Sequence, residues 1–245
     1  IGMHIATDLS DVLFGTPKPV TSEANFGVID PEMVNIALHG HNPLLSEMVV
    51  RAAREMEAEA EAAGAKGIKC MGICCTGNEV LMRQGVPLVT NFLSQELPIM
   101  TGALDAMVVD VQCIMPAIRA VAECYHTRII TTMSHSKIPG SYHVEFTEDR
   151  AMEKAREIIY LAIEAYKERL PDRIDIPQVK NKVTAGFSTE ALLDIFAAVN
   201  PDNPIKVLTD AIDSGQLRGV VLLAGCNNLR VLHDQSHASV IKGLA

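Results

Sequence analysis

The fold is decided by residues 34–56, which read VNIALHGHNPLLSEMVVRAAREM. The apolar run Val34–Leu38 is typical of a buried strand. Asn42 then supplies a helix N-cap and Pro43 a proline at the first helical position. Apolar residues continue at helical spacing, and Gly64 is expected to end the helix. A strand followed at once by an amphipathic helix is the unit from which α/β sheets are built.

The same alternation recurs along the chain. Further strands are predicted at Gly67–Ile73, Asp105–Val111, Arg128–Thr132 and Gly219–Gly225. Helices are predicted over 116–125, over 148–169 and, in two pieces broken at Asn200-Pro201 and Asn203-Pro204, over 188–216. This order predicts an α/β fold, a Rossmann-like parallel sheet with helices on both faces. Leu170-Pro171-Asp172 separates it from the beginning of a second α/β domain.

The composition excludes several classes of protein. The 245 residues are 48% hydrophobic and 21% charged, with a net charge of −9 and no cluster of lysine or arginine. Nucleic acid is therefore not an expected partner, because phosphate binding needs a basic patch. No apolar run approaches the roughly 18 residues of a membrane span. Six cysteines in a chain of this size do not form a secreted disulfide framework, so a cytoplasmic protein is expected.

Four candidate metal ligands, soft or borderline in character, lie just beyond the ends of predicted strands. They are His41, Cys75, Cys113 and Cys226. In open α/β sheets ligands bind where the loops at the carboxyl ends of the strands converge. Thiolates with one imidazole suit zinc or an iron–sulfur site. A nucleotide site is disfavoured, because neither Gly-x-Gly-x-x-Gly nor a P-loop follows any predicted strand.

Two of these ligands have a close competitor in the sequence. Cys74 and Cys75 are adjacent, and neighbouring side chains on an extended chain point to opposite faces. Usually one of such a pair reaches a given site, and spacing alone does not say which. His39 and His41 are two residues apart and share a face if the strand extends that far, so either could be the ligand.

The remaining cysteines do not follow a predicted strand. Cys70 lies inside a predicted strand, and Cys124 lies in a predicted helix beside Tyr125. Free cysteine is among the most buried residue types in proteins. We therefore interpret Cys70 and Cys124 as core residues.

Four motifs together resemble the nickel-containing carbon monoxide dehydrogenases of anaerobes. They are His39-Gly-His-Asn-Pro43, Gly72-Ile-Cys-Cys-Thr-Gly-Asn-Glu79, Asp110-Val-Gln-Cys-Ile-Met-Pro116 and Gly225-Cys-Asn-Asn228. Their order and gaps match as well, and the resemblance covers essentially the whole chain. It implies a nickel–iron–sulfur cluster that oxidises CO with water to CO2, two protons and two electrons, and catalyses the reverse reaction.

The resemblance also implies a role for each candidate ligand. His41 and Cys75, rather than the neighbouring histidine and cysteine of their motifs, would ligate a unique iron, and Cys113 and Cys226 would ligate irons of the iron–sulfur part. The family uses two further cysteines, one of them for nickel, and no cysteine follows Cys226. Further 4Fe–4S clusters belong to an N-terminal segment of the family. The 245-residue chain by itself is therefore expected to be inactive.

By the same resemblance the chain would be an internal piece of a longer protein, an expectation with which the first residue, Ile1, agrees. Residues 1–26 would connect from a helical domain, 27–170 would form the central Rossmann-like domain, and 171–245 would be the first part of a C-terminal α/β domain. CO, CO2 and water would be the substrates, and a ferredoxin-like protein would accept the electrons. The whole protein would be a cytoplasmic homodimer.

Two alternatives stay open at this point. A hybrid-cluster enzyme, similar to hydroxylamine reductase, also places metal ligands at strand ends. A non-catalytic fragment could instead bind one zinc ion through three cysteines and one histidine, or bind no metal. Iron with acid-labile sulfide would favour a cluster, whereas zinc alone would favour a structural site.

Overall fold

The computed structural model describes residues 1–228 and 230–244, and of Met3 and His4 it describes the backbone only. The chain divides into two compact units, a first unit of residues 1–187 and a second unit of residues 188–245. Each unit is described by itself. No helix of the described residues is both long enough and apolar enough to cross a membrane.

The elements alternate between strand and helix in the first unit. The strands are β1 (Val20–Ala24), β2 (Val34–His39), β3 (Ile68–Ile73), β4 (Leu88–Thr90), β5 (Ala106–Val109), β6 (Arg128–Thr131), β7 (Tyr142–His143) and β8 (Asn181–Ala185). Its helices are α1 (Gly2–Phe14), α2 (Pro43–Glu55), α3 (Glu57–Ala62), α4 (Cys74–Gln84), α5 (Leu97–Met100), α6 (Ile118–Ala122) and α7 (Ala151–Lys167). The helices of the second unit are α8 (Thr189–Ala197), α9 (Ile205–Asp213) and α10 (Gln235–Leu244).

All the strands belong to one sheet in the order β7-β6-β5-β2-β3-β4-β1-β8. Every neighbouring pair is parallel except β1 and β8, which pair antiparallel at one edge. Most strands are joined through helices, as parallel strands require. The predicted α/β class with a largely parallel sheet is confirmed.

The core has two layers, one on each face of the sheet, because successive side chains of a strand point to opposite faces. Val34, Ile36 and Leu38 of β2 belong to the cluster that includes buried residues of α2 and α7. Ala37 of β2 belongs to the second cluster, which lies with α5 and α6 on the other face. Each fully buried aliphatic side chain stabilises the fold by about 1.5–3 kcal/mol.

The helix that follows β2 begins as its sequence predicts. The Asn42 side-chain oxygen accepts from the Leu45 amide at 3.1 Å, and Pro43 occupies the first turn. The long helix predicted over 148–169 is α7, which is shorter because residues 148–150 form a 3₁₀ turn before it. Helix α1 is an addition that the sequence patterns did not predict.

Two sequence-based expectations are wrong. Residues 219–225, predicted to be a buried strand, have no strand pairing, and Val220 and Leu222 are 87% and 86% exposed. An apolar run becomes a strand only where another strand accepts its backbone hydrogen bonds. Cys124 is exposed rather than buried, because α6 ends at Ala122 and the thiol lies in the turn beyond it.

Candidate metal centre

The three central strands end at the same level of the sheet. In the parallel register, His39 of β2 is opposite both Ile73 of β3 and Val109 of β5. Neighbouring strands lie about 4.8 Å apart, so the residues that follow these three positions leave the sheet side by side. This carboxyl edge is where ligands bind in open α/β sheets.

The loop after β2 is tied to the loop after β5 by one carboxylate. Asp110 is 2% exposed, and its oxygens accept from the His41 amide at 2.8 and 2.9 Å, from the Asn42 amide at 2.6 Å and from the Val111 amide. Gly40 makes room for this carboxylate. A Cβ at that position would lie 1.7 Å from an Asp110 oxygen, and its φ of +142° is one that other residues rarely adopt.

The His41 ring is oriented by the same loop. Its Nδ1 lies 2.9 Å from the Val111 carbonyl oxygen. A carbonyl can only accept, so Nδ1 carries the hydrogen and the Nε2 lone pair is available to a metal. Histidine ligands are characteristically held in this way by a carbonyl or carboxylate behind the ring.

His39 has a different environment from His41. It is 1% exposed, and its Nε2 lies 3.1 Å from the Gln95 side-chain oxygen. Burial lowers the pKa of the His39 imidazole to about 4, although the hydrogen bond to Gln95 opposes the shift. The two histidines do not continue one strand, because β2 ends at His39 and Gly40 turns the chain. At the edge of the sheet it is His41 that is partly exposed.

The two adjacent cysteines lie where the chain turns sharply from the end of β3 into α4, and their side chains have different environments. Cys74 has a φ of +62°, is partly buried and packs against the core. Cys75 is exposed in the first turn of α4. The positive end of the helix dipole at this turn favours a thiolate.

Thr76 connects this turn to the histidine loop. Its amide donates to the Gly40 carbonyl at 2.9 Å, and its hydroxyl lies 2.5 Å from the hydroxyl of Ser46 and 3.3 Å from the Asn42 carbonyl oxygen. The loops after β2, β3 and β5 are therefore joined to one another by hydrogen bonds.

The structure brings three of the four candidate ligands to this edge. Cys113 is exposed and follows β5, with φ values of +61° at Gln112 and +59° at Cys113. Cys226 belongs to the second unit, where it is exposed and follows Gly225, whose φ is +95°.

The described residues of neither unit form, by themselves, a site for one metal ion. Among the described side chains of each unit, no three histidine, cysteine, aspartate or glutamate residues are close enough to hold a single ion. The tetrahedral zinc site considered from the sequence needs four ligands around one ion. The ligands of a multi-iron cluster bind different irons and therefore lie further apart.

Sequence reasoning missed two residues that shape this edge. Asp110 follows directly after β5, and an aspartate at a strand end is a signal for backbone capping that could have been used. Gln95 contacts the Cys113 carbonyl across 18 residues and His39 across 56. No local pattern marks such a residue, because its partners are distant in sequence.

The chain is similar to carbon monoxide dehydrogenases throughout its length. The model of the prismane/CO dehydrogenase family matches residues 1–245. The chain is 64% identical to the carbon monoxide dehydrogenase/acetyl-CoA synthase subunit beta of Moorella thermoacetica, over 99% of this chain and 36% of that protein. It is 56% identical to carbon monoxide dehydrogenase 1 of Carboxydothermus hydrogenoformans, over 100% of this chain and 38% of that protein. The chain thus spans less than two-fifths of the length of these relatives.

Solved structures show the same likeness. A chain of acetyl-CoA synthase/carbon monoxide dehydrogenase, from a structure described with NiZn[Fe4S4] and NiNi[Fe4S4] clusters in its alpha subunits, superposes with a TM-score of 0.95 at 64% identity, over 99% of this chain and 36% of that one. Carbon monoxide dehydrogenase IV from Carboxydothermus hydrogenoformans superposes with a TM-score of 0.96 at 57% identity, over 98% of this chain and 38% of that one. The chain belongs to the prismane/CO dehydrogenase family.

Proposed function

We propose that this chain supplies four ligands of the nickel–iron–sulfur cluster of a carbon monoxide dehydrogenase. The ligands are His41, Cys75, Cys113 and Cys226. The whole protein oxidises CO with water to CO2, two protons and two electrons, and catalyses the reverse. The names of the relatives support this activity, and their greater length makes it a proposal about the whole protein.

One observation carries the proposal. The loops of His41, Cys75 and Cys113 leave register-aligned strands and are hydrogen-bonded to one another. The His41 Nε2 lone pair is available to a metal, and both thiols are exposed. Imidazole and thiolate are the donors that an iron–sulfur site takes. The donor set therefore fits the cluster.

The protein's own residues prepare this edge for metal. When bound, such a cluster supplies Lewis-acid metal sites and a store for electrons. Asp110 holds the backbone of the His41 loop, and the Val111 carbonyl keeps the ring hydrogen on Nδ1. The first turn of α4 stabilises the Cys75 thiolate through the helix dipole.

The remaining features of the whole protein are part of the same proposal. We propose CO, CO2 and water as substrates, a ferredoxin-like electron acceptor, and a cytoplasmic homodimer with further 4Fe–4S clusters. Residues 1–26, 27–170 and 171–245 are proposed as a connection, a central domain and the first part of a C-terminal domain.

The test is a chimera. The matching residues of the 64% identical Moorella protein are replaced by residues 1–245 of this chain. We expect the chimera to reduce viologen with CO and to contain nickel, iron and acid-labile sulfide. Cys75→Ala or His41→Ala in the chimera should lower activity by more than about 100-fold and reduce the iron content.

The matched control is Cys124→Ala, which removes an exposed thiol from the turn before β6, at the opposite end of the strands. It should leave activity and metal content unchanged. A chimera that reduces hydroxylamine but does not oxidise CO, or that holds zinc without sulfide, would overturn the proposal.

A further inference from the structure

A fully buried glutamine lies beneath the Cys113 loop. Gln95 is 0% exposed and follows a 3₁₀ turn between β4 and α5. Its nitrogen donates to the Phe92 carbonyl at 2.7 Å and to the Cys113 carbonyl at 3.0 Å. Its oxygen accepts from the Met115 amide at 3.0 Å and from the His39 ring at 3.1 Å.

These four contacts use the whole hydrogen-bonding capacity of the amide, which has two donors and two acceptor positions. The orientation of the Gln95 amide follows, because the reverse orientation would set its oxygen against two carbonyl oxygens. His39 must then donate from Nε2. Its other ring nitrogen, Nδ1, is buried and has no partner of ordinary hydrogen-bond geometry among the described residues.

The loop that Gln95 holds is conformationally unfavourable. Gln112 and Cys113 have φ values of +61° and +59°, a region that residues with a Cβ rarely occupy. Such residues persist only where the surroundings hold them. The Gln95 side chain forms hydrogen bonds with the Cys113 carbonyl and the Met115 amide, and so holds the backbone on both sides of Ile114.

We propose that Gln95 is a positioning residue that holds Cys113 in its left-handed conformation, with the thiol exposed at the carboxyl edge, and joins that loop to β2 through His39. The inference rests on the proposed function in one respect, that Cys113 is a cluster ligand. The hydrogen bonds from Gln95 to the Cys113 loop exist in the chain without metal, so their effect on the loop is measured separately.

The test uses the 245-residue chain and Gln95→Leu, which keeps a side chain of similar bulk and removes all four hydrogen bonds. The first measurement is amide hydrogen exchange in the metal-free chain. The Met115 amide should exchange on the order of tenfold faster in the variant, because it loses its buried acceptor. Amides of β3, which do not touch Gln95, should exchange as before.

The second measurement is iron and sulfide per chain in the chimera described above, in which the rest of the Moorella protein is present. The chimera with Gln95→Leu should retain several-fold less of both than the chimera without it, because Cys113 no longer stays in place. The control is Gln178→Leu, the same change at an exposed glutamine whose side chain bonds the Ile176 carbonyl. It should change neither measurement.

Gln95→Glu covers the case in which the leucine variant does not fold. It keeps the acceptor oxygens for Met115 and His39 and loses at least one of the two donors. The Met115 amide should therefore exchange at a rate between those in the original chain and in the Gln95→Leu chain. Unchanged exchange at Met115 in a folded variant would overturn the inference, and so would faster exchange with undiminished iron. If the chimera without the Gln95 substitution holds no iron and sulfide, the proposed function fails, and the exchange at Met115 still decides whether Gln95 positions the loop.

Discussion

Cys113 and Cys226 follow apolar runs of similar length, yet the two regions differ in structure. The run before Cys113 is β5, buried between β2 and β6. In the loop after β5, the Asp110 carbonyl accepts from the Ser136 hydroxyl and the Cys113 carbonyl accepts from the Gln95 side chain. The run before Cys226 is exposed and unpaired in the second unit. The difference teaches that an apolar run becomes a strand through its neighbours rather than through its own composition.

The same contrast applies to the polar groups. In the first unit, buried side chains accept or donate to the backbone of the ligand loops, as Asp110 does for His41. In the second unit, Asn227 and Asp234 bond each other in an exposed segment, where water competes for the same groups. The hydrogen bonds that hold the ligand loops of the first unit are therefore less exposed to water than the bonds between Asn227 and Asp234.

The largest expected effect compares two identical substitutions. Leu38 is 1% exposed in β2, and Leu222 is 86% exposed in the second unit. Leu38→Ala should lower the free energy of unfolding by about 2–5 kcal/mol, because it leaves a cavity in the core. Leu222→Ala should change it by less than about 0.5 kcal/mol. Urea unfolding followed by circular dichroism measures both, and an equal loss in the two variants would show that residues 219–225 are buried in solution.

The next effect concerns the carboxylate that joins two loops. Asp110→Ala leaves the partly buried amides of His41, Asn42 and Val111 without their acceptor, and should destabilise the chain by about 3 kcal/mol. Asp110→Asn keeps one acceptor oxygen and should lose less. Asp213→Ala, at an exposed aspartate that ends α9, is the control and should be near neutral. A loss below about 0.5 kcal/mol for Asp110→Ala would mean that water replaces the carboxylate.

A smaller effect compares the helix caps of the two units. Asn42 caps α2 by accepting from Leu45, and Ser188 caps α8 by accepting from Ala191, both at 3.1 Å. Alanine at either cap should destabilise its helix by about 0.5–2 kcal/mol, with the larger value for Asn42, whose helix packs in the core. Thermal unfolding followed by circular dichroism measures the fall in unfolding temperature for each variant. A larger fall for Ser188→Ala than for Asn42→Ala would contradict the prediction.

The ionisation of the Cys70 thiol has the smallest expected effect on stability at neutral pH. This thiol packs against the core beside β2, and burial raises its pKa to about 12. The pKa is higher in the folded state than in the unfolded state, so its contribution to stability is fully present below about pH 9 and is lost as the pH rises towards 12. Iodoacetamide at pH 8 should therefore alkylate exposed Cys226 first and Cys70 only on unfolding. Mass spectrometry reads both sites, and equal alkylation of the folded chain would contradict the burial of Cys70.

Much of the first unit follows from local patterns in the sequence. The run Val34–Leu38, the Asn42 cap and the Pro43 start were predicted from neighbouring residues, and the structure has each of them. Such features are predictable because the interactions involved span only a few residues. The placement of His41, Cys75 and Cys113 just beyond three strands follows in the same way.

Other features depend on partners far along the chain. The sequence spacing left His39 and His41 as equals, and the fold separates them by turning the chain at Gly40. Residues 219–225 and Cys124 were misjudged because burial depends on which surfaces meet, and composition records only which residues are apolar.

The sequence by itself determined the alternation of strand and helix, the residue types at each strand end and the family resemblance. Only the tertiary structure decided which polar side chains hold the candidate ligands in place. Asp110 reaches His41 across 69 residues, and Gln95 reaches His39 across 56. Hydrogen bonds between such distant residues form only when the sheet has set its register, because until then nothing in the chain brings donor and acceptor together.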